Sequence, residues 1–262
     1  MQRDLLSRKK VGDKDTMLVP AGGEGIHTQV EHIEGRGNGN LIDSRLVIVR
    51  EPYSIAAEQY RVLYTRISQL VQNKSTYTLA ITSSVKDEGK TFTSLNLAIA
   101  MARDFDEKVL LIEGDLKNPT LHEYLKRSPG YGLSDVLEGR IEFDSASVQL
   151  VEGRLSMLLA GKVVGSPLRL IASPKMEELL NYVKGYFKYI IIDTPPIIPV
   201  ADINIYSALV DGLLLVIRAG KTPKSMIKKA LASMPSEKVI GAVLNEVEPN
   251  YSKYYYGTRY SY

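Results

Sequence analysis

The sequence predicts an α/β fold in which a mostly parallel sheet is covered by helices on both faces. The main evidence is a series of short, nearly continuous aliphatic runs, typical of buried strands, that alternate with segments of helical periodicity. A second observation is the sequence Gly89-Lys90-Thr91, which stands between the first such run and the next helix. Ligands of open parallel sheets bind beyond the carboxyl ends of the strands. We therefore expect the functional residues where these runs end.

The predicted elements follow one another in a regular order. An amphipathic helix with apolar residues at helical spacing between Ile55 and Leu70 comes first. Further helices are predicted over 90–105 and 174–185, the latter with Ser173 as N-cap and Pro174 in its first turn. The predicted strands span residues 77–82, 109–113, 155–159, 189–193, 213–217 and 239–244.

Composition divides the chain into three parts and excludes several classes of function. Residues 1–46 are polar and glycine-rich and predict a flexible leader, residues 47–249 predict one α/β domain, and residues 250–262 form a tyrosine-rich tail. The net charge of +3 does not indicate a nucleic-acid partner, and the absence of cysteine excludes disulfides and thiolate sites. We find no signal peptide and no apolar run near the roughly 20 residues of a membrane helix. These features predict a cytoplasmic protein that reaches a membrane only through a partner.

The segment 82–91 has the features of a phosphate-binding loop. The pattern G-x-x-x-x-G-K-[ST] is met at Gly89, Lys90 and Thr91, with Ser84 in place of its first glycine. Backbone N–H groups at the start of a helix would surround the phosphates, Lys90 would reach the β- and γ-phosphates, and Thr91 would bind Mg²⁺. The pattern thus predicts ATP and Mg²⁺ as cofactors. An ordinary strand–turn–helix with an exposed lysine is the alternative.

Acidic residues end two of the later strands. Glu113 and Asp115 follow the run 109–113, and Asp193 ends the run 189–193. Carboxylates at one sheet edge repel each other and raise each other's pKa, and a divalent cation bound to phosphates removes that conflict. The alternative is that each acid caps the element after it.

The tail contains six tyrosines and no aliphatic residue. Aromatic residues without aliphatic partners make a poor core, so we expect their hydroxyls to accept phosphoryl groups. The alternative is a sticky or disordered aromatic tail. The expected acceptors are Tyr251, Tyr254, Tyr255, Tyr256, Tyr260 and Tyr262.

From about Ile48 to Tyr262 the chain resembles the bacterial tyrosine kinases, the P-loop kinases of polysaccharide synthesis. The resemblance implies a Min/Par-like ATPase fold, phosphorylation of the tail of a neighbouring copy, and control of exopolysaccharide export and chain length. It also implies a separate membrane activator of the chain-length-regulator type, recruitment to the inner face of the plasma membrane, and a tyrosine phosphatase. The motifs that carry it are 88–91, 109–119, 132–139, 160–161, 166–167, 190–196, 201–202, 210–211, 216–220 and the terminal tyrosines.

The resemblance assigns Lys90 and Thr91 to Walker A, Glu113 and Asp115 to the second acidic motif, and Asp193 to Walker B. Either acid of the second motif would orient or deprotonate the acceptor phenol, whose ordinary pKa is about 10. The predicted catalytic residues are Lys90, Glu113, Asp115 and Asp193. The predicted Mg²⁺ ligands are Thr91, Asp115 and Asp193. The predicted nucleotide-binding residues are Asp87, Glu88, Gly89, Lys90, Thr91, Phe92 and Asn245, the last through its amide, although strand-end asparagines also form turns.

Three departures from the family pattern bear on activity. Lys86-Asp87 replaces the usual Pro-Gly, Lys117 replaces an arginine, and Glu113 replaces an aspartate. The longer acid extends its carboxylate by about 1.5 Å, and a misplacement of about 1 Å can cost ~10²-fold in rate. We therefore expect reduced activity, which Glu113→Asp should keep or raise.

Two further features leave alternatives open. Glu58 to Arg61 resembles the start of the family's oligomer-forming motif, but Tyr64 holds the slot of its second arginine, so a ring-like homo-oligomer and an ordinary packed helix are both considered. The rival functions are a partitioning-type ATPase, which lacks support because Val85 replaces its second lysine, and a catalytically weak nucleotide-binding regulator.

Overall fold

The computed structural model describes residues 29–30, 46–151, 153–199 and 203–247. Within them lies one eight-stranded sheet that is mostly parallel, as predicted, because only β4 and β5 pair in antiparallel fashion. The strand order is β1-β4-β5-β3-β6-β2-β7-β8. The strands are β1 (Gln29–Val30), β2 (Tyr77–Ser83), β3 (Val109–Glu113), β4 (Val148–Val151), β5 (Leu155–Leu158), β6 (Tyr189–Asp193), β7 (Gly212–Arg218) and β8 (Val239–Asn245).

Helices cover both faces of this sheet. Helices α2 and α3 pack on one face, and α5, α8 and α10 contribute to the core on the other. The helices are α1 (Val47–Arg50), α2 (Ile55–Leu70), α3 (Lys90–Asp104), α4 (Leu121–Tyr124), α5 (Leu133–Leu137), α6 (Phe143–Ala146), α7 (Pro167–Ile171), α8 (Pro174–Val183), α9 (Ile203–Leu209) and α10 (Lys224–Ala232).

Strand β3 shows why the central runs are continuously aliphatic. Leu111 belongs to the core under α2 and α3, whereas its neighbours Leu110 and Ile112 belong to the core on the opposite face. Successive side chains of a strand point to opposite faces, so a strand covered on both sides needs an apolar residue at every position.

The structure differs from the predicted elements at three points. Strand β4 is absent from the prediction, and so is β1 (Gln29–Val30), which lies in the segment predicted as a flexible leader and pairs with β4 in parallel at Val148 and Gln149. The reason is physical: the outer side of β4 offers free N–H and C=O groups that a short extended segment can use. At α8, Ser173 occupies the N-cap position, but its hydroxyl donates to Leu170 O at 2.6 Å instead of capping the helix.

No helix in the described part of the chain is long and apolar enough to cross a membrane. The boundaries predicted for the leader, the domain and the tail stay predictions.

Candidate active site

The carboxyl ends of β2, β3 and β6 meet at one edge of the sheet. Strand β6 lies between the other two, and the register sets Asp193 opposite both Ile81 and Glu113. The N–H groups of Gly114 and Asp115 donate to Asp193 O at 2.8 and 3.0 Å. Acids that are about 80 residues apart in the sequence are therefore brought together, as the strand pattern predicted.

The loop between β2 and α3 has the backbone shape that a phosphate-binding loop needs. Asp87 and Gly89 have φ angles of 63° and 88°. A Cβ atom at Gly89 would lie 2.0 Å from Asn245 Nδ2, so only glycine fits there. Helix α3 begins directly afterwards at Lys90, and its first N–H groups have no intrahelical acceptor. Backbone N–H groups at a helix start are favourable positions for an anion, as the predicted phosphate-binding loop requires.

Lys90 is an ion-paired side chain and is less exposed than an ordinary loop lysine. Its Nζ lies 3.1 Å from Asp115 Oδ2, and the two side chains are 15% and 3% exposed. Burial lowers the pKa of Lys90, but the carboxylates of Asp193, Asp115 and Glu113 outweigh burial and raise it above its usual value. The lysine thus carries a positive charge at the mouth of the loop, where phosphates would be neutralised.

Asp193 accepts hydroxyl hydrogen bonds from helix α3. Thr91 Oγ1 donates to Asp193 Oδ2 at 2.6 Å, and Ser94 Oγ lies 3.5 Å from Oδ1. Burial raises the pKa of Asp193 to about 7, and the opposing effects of Lys90 and Thr91 do not cancel it. A carboxyl group in this state gains from a cation that stabilises its charged form.

The oxygen atoms of Thr91, Asp115 and Asp193 are the hard ligands that Mg²⁺ prefers. Among the described residues there is no cluster of three or more acidic, histidine or cysteine side chains that could hold a metal. In nucleotide sites Mg²⁺ is commonly bound through one or two carboxylates and completes its shell with phosphates and water.

Glu113 is bound by backbone amides. Its Oε1 accepts from Thr120 N at 2.5 Å and from Leu121 N at 2.6 Å, and its Oε2 accepts from Ala160 N at 2.9 Å. Burial raises its pKa, although the three N–H groups oppose this. The carboxylate ties the start of α4 to the end of β5, and the longer glutamate side chain spans that gap. Both oxygens of Glu113 therefore accept backbone hydrogen bonds in this structure, and its predicted part in the chemistry of the phenol stays a prediction.

Asp115 is the more available member of the second acidic motif. Its Oδ1 accepts from Asn118 N at 3.1 Å, and its Oδ2 forms the ion pair with Lys90. The backbone beneath it is supported by a residue that the sequence did not reveal, since Tyr206 Oη donates to Gly114 O at 2.6 Å. The only local signal is Gly114 itself, because a Cβ there would lie 2.9 Å from Tyr206 Oη.

The other predicted nucleotide contacts separate into two groups. Asn245 lies at the loop, with its Nδ2 donating to Glu88 O at 3.0 Å, and Glu88 is buried. Asp87 is exposed at the turn. Phe92 instead packs against Tyr60 of α2 with ring centroids 6.3 Å apart. The side chain of Phe92 is thus held against the core, and its predicted nucleotide contact stays a prediction.

The predicted oligomer motif on α2 is engaged within its own chain. Arg61 Nε bonds to Asp104 Oδ2 at 2.8 Å, and Tyr64 Oη donates to Glu107 Oε1 at 2.7 Å. Tyr64 also stacks on Phe105, with centroids 4.0 Å apart. These contacts pack α2 within its own chain, and the predicted oligomer stays a prediction. The six tail tyrosines lie outside the described residues.

Comparison with known proteins gives consistent matches. Residues 79–257 match the CobQ/CobB/MinD/ParA nucleotide binding domain. Tyrosine-protein kinase YwqD of Bacillus subtilis is 35% identical over 229 residues, which is 86% of this chain and 96% of that protein. The succinoglycan biosynthesis transport protein ExoP of Rhizobium meliloti is 29% identical over 209 residues, 78% of this chain but 26% of ExoP. The kinase domain of Escherichia coli tyrosine kinase ETK aligns with a TM-score of 0.76 at 29% identity, covering 87% of each chain.

Proposed function

The chain belongs to the bacterial tyrosine-protein kinases, within the CobQ/CobB/MinD/ParA nucleotide-binding family, and we propose that it transfers the γ-phosphoryl group of ATP to tail tyrosines of a neighbouring copy. The observation that carries this proposal is the convergence of Lys90, Thr91, Asp115 and Asp193 at one sheet edge. A cation, a hydroxyl and two carboxylates beside an anion-binding loop suit phosphoryl transfer, in which catalysis is mostly positioning and charge neutralisation.

Each residue has a distinct role in this proposal. The loop N–H groups and Lys90 hold the β- and γ-phosphates, and Thr91, Asp115 and Asp193 would hold Mg²⁺, whose charge neutralises the phosphate oxygens. Lys90 gains a phosphate partner when ATP binds, which frees Asp115 Oδ2. The phenol oxygen then attacks the γ-phosphorus, the bond to the β–γ bridging oxygen breaks, ADP leaves, and the phenol proton passes to Asp115.

Asp115 is preferred over Glu113 for contact with the phenol. Both oxygens of Glu113 accept backbone N–H groups, whereas Asp115 Oδ2 faces Lys90. A group that receives a proton must lie within hydrogen-bond reach of it. Glu113 then acts by holding the loop that carries Asp115.

The biological role is proposed from the relatives. ExoP is named as a succinoglycan biosynthesis transport protein, and this chain matches about a quarter of it. We place the chain in the control of exopolysaccharide export and chain length. A separate membrane protein of the chain-length-regulator type would supply the activation and recruit the kinase from the cytoplasm. A tyrosine phosphatase would reverse the modification, and the active form would be a homo-oligomer.

A catalytically weak nucleotide-binding regulator is the second candidate. Two observations favour it: both oxygens of Glu113 accept backbone hydrogen bonds, and Lys86 and Asp87, which depart from the family pattern given above, are exposed in the loop.

Incubation of the pure protein with MgATP, followed by mass spectrometry of phosphotyrosine, separates the candidates. We expect phosphate on the tail, no phosphate on Lys90→Met, and little phosphate on a chain that ends at Asn250. The shortened chain should still bind ATP, which serves as its control. Phosphotyrosine that persists in Lys90→Met, with contaminating kinases excluded, would refute the site, and nucleotide binding without phosphorylation would favour the regulator.

A further inference from the structure

Glu88 lies in the predicted phosphate-binding loop, and its buried carboxylate makes its hydrogen bonds with other groups of the protein. Its side chain is 1% exposed. Its Oε2 accepts from Val85 N at 2.8 Å, and its Oε1 accepts from Arg218 N at 3.4 Å and from the hydroxyl of Thr222. A carboxylate cannot bind a phosphate oxygen directly, because both are acceptors with negative charge. Its contacts point to a role in shaping the loop.

These contacts connect the loop to the segment between β7 and α10. Val85 belongs to the loop, whereas Arg218 ends β7 and Thr222 lies in the turn before α10. The end of β8 joins the same network, since Asn245 Nδ2 donates to Glu88 O at 3.0 Å and Ala219 N donates to Asn245 O at 2.9 Å. The loop, the end of β7 with its following turn, and the end of β8 therefore meet at one residue, Glu88.

Arg218 extends this network toward the tail. Its N–H faces Glu88, and its Nε bonds to Glu246 Oε2 at 2.6 Å. Lys221 Nζ lies 3.6 Å from the same Glu246 oxygen. Glu246 directly follows β8, only four positions before the tyrosine-rich tail begins at residue 250. Arg218 thus contacts both the carboxylate of Glu88 in the loop and Glu246, which lies just before the tail.

We propose that Glu88 is a positioning residue that holds the loop in its phosphate-binding shape and links nucleotide binding, through Arg218, to the root of the tail at Glu246. The link rests on the proposed kinase function, because it makes the acceptor segment respond to ATP. Phosphates that order the loop also order Glu88, and Glu88 in turn fixes the end of β7, which carries the partner of Glu246. Chains of packed side chains and hydrogen bonds of this kind carry energetic coupling between separate sites.

Nucleotide affinity tests the positioning role. We expect Glu88→Ala to raise the Kd of a fluorescent ATP analogue with Mg²⁺ about tenfold, because Val85 N and Arg218 N lose their acceptor. Glu88→Gln should rescue part of the loss, since it keeps one acceptor oxygen, and Thr222→Val should have a smaller effect than Glu88→Ala. Glu178→Gln is the matched control, because it removes the charge of an exposed glutamate on α8, and it should leave the Kd unchanged.

Steady-state kinetics should show the same residue acting through binding. In Glu88→Ala the KM for ATP should rise about tenfold, while kcat at saturating ATP should fall less than threefold, because the variant keeps Lys90 and Asp115. A fall in kcat with an unchanged KM would overturn the proposal. Thr222→Val tests the same contact if Glu88→Ala does not fold.

Hydrogen exchange tests the link to the tail. Saturating nucleotide should protect amides in β8 and residues 246–247 of the natural chain. This protection should be lost in Glu88→Ala, and it should weaken in Glu246→Gln, whose nucleotide affinity should stay within about twofold. Equal protection in all three proteins would refute the link. If the natural chain binds no nucleotide, the proposed function fails, whereas normal binding and phosphorylation in every Glu88 variant would refute this inference alone.

Discussion

The pKa values of acidic side chains are shifted in opposite directions at the two edges of the sheet. At the carboxyl edge, burial raises the pKa of Asp193 to about 7 and raises that of Glu113. At the amino edge stands Asp211, just before β7. Burial alone would raise its pKa, but hydrogen bonds from Thr78 N at 2.8 Å and Lys74 Nζ at 2.9 Å lower it below the usual value. The charged form of an aspartate is thus stabilised at the amino edge, at Asp211, and destabilised at the carboxyl edge, at Asp193.

This difference separates a functional edge from a structural edge. Asp211 ties the start of β7 to the start of β2 and stabilises the fold by itself. Asp193 lies beside Glu113 and Asp115, with Lys90 as the nearby cation, and in the proposed function nucleotide-bound Mg²⁺ would stabilise its charged form. Active sites commonly contain titratable groups whose pKa values are shifted in this way. Substitutions at the two edges should therefore differ in which property they change.

The largest expected effect is that of Lys90→Met, compared with Lys74→Met at the amino edge. Loss of Lys90 should reduce tyrosine phosphorylation by at least about 10²-fold, because a positioned charge on the phosphates disappears. It should also lower the free energy of unfolding of the nucleotide-free protein by about 3 kcal/mol, because Asp115 loses its buried partner. Lys74→Met breaks a half-exposed pair and should cost less than about 1 kcal/mol with unchanged activity.

Phosphotyrosine formation and urea unfolding measure these two properties on the same samples. The double variant Lys90→Met/Asp115→Asn should recover stability but not activity, since the unpaired charge is removed with its partner. Stability equal to that of the natural chain in Lys90→Met would mean that the Lys90–Asp115 pair is absent in solution. Equal losses of activity in Lys90→Met and Lys74→Met would erase the distinction between the two edges.

The second effect concerns Glu113, which lies at the carboxyl edge but binds backbone amides, as a residue that stabilises the fold does. Glu113→Asp should lower the free energy of unfolding by about 1–3 kcal/mol, since the shorter side chain cannot reach Thr120, Leu121 and Ala160 together. Activity should fall with it, contrary to what the family's usual aspartate suggests. Glu113→Gln keeps the length and should be the more stable of the two variants.

Thermal unfolding and phosphorylation rates of the three proteins test this order. The interpretation of Glu113 as an anchor would be wrong if Glu113→Asp matched the natural chain in stability and exceeded it in rate. That result would restore the carboxylate to the chemistry of the phenol.

The sequence allowed the site to be located because its residues are fixed by strand ends. Aliphatic runs set where β3 and β6 stop, and parallel pairing then places Glu113 and Asp193 side by side. Strand β4 was missed because its four residues carry a weak pattern and pair with β5 through a short turn. Here the local signal was too short to separate a strand from a loop.

Side-chain partners across the fold could not be predicted in the same way. Glu88 contacts Thr222 at a separation of 134 residues, and Tyr206 reaches Gly114 at a separation of 92. Neither contact leaves a periodic trace in the sequence, because each depends on where two distant segments meet in space. The role of Glu113 was likewise hidden, since residue type alone does not reveal which amides its oxygens face.

The smallest expected effect is that of Asp211→Asn, and it carries a defined pH dependence. The pKa of Asp211 is lower in the folded protein than its usual value near 3.9, so its charge stabilises the fold above that pH. At pH 7 the variant should be less stable by about 0.5–1 kcal/mol, a modest value because the side chain is 32% exposed. The difference should shrink as the pH falls through the folded pKa, because the natural carboxylate then becomes neutral as well. Urea unfolding at a series of pH values measures this, with Glu178→Gln as an exposed control and with phosphorylation at neutral pH expected to stay unchanged. A stability difference that is constant across the acidic range would mean that Asp211 acts through packing, and a loss of activity would place the amino edge within the catalytic machinery after all.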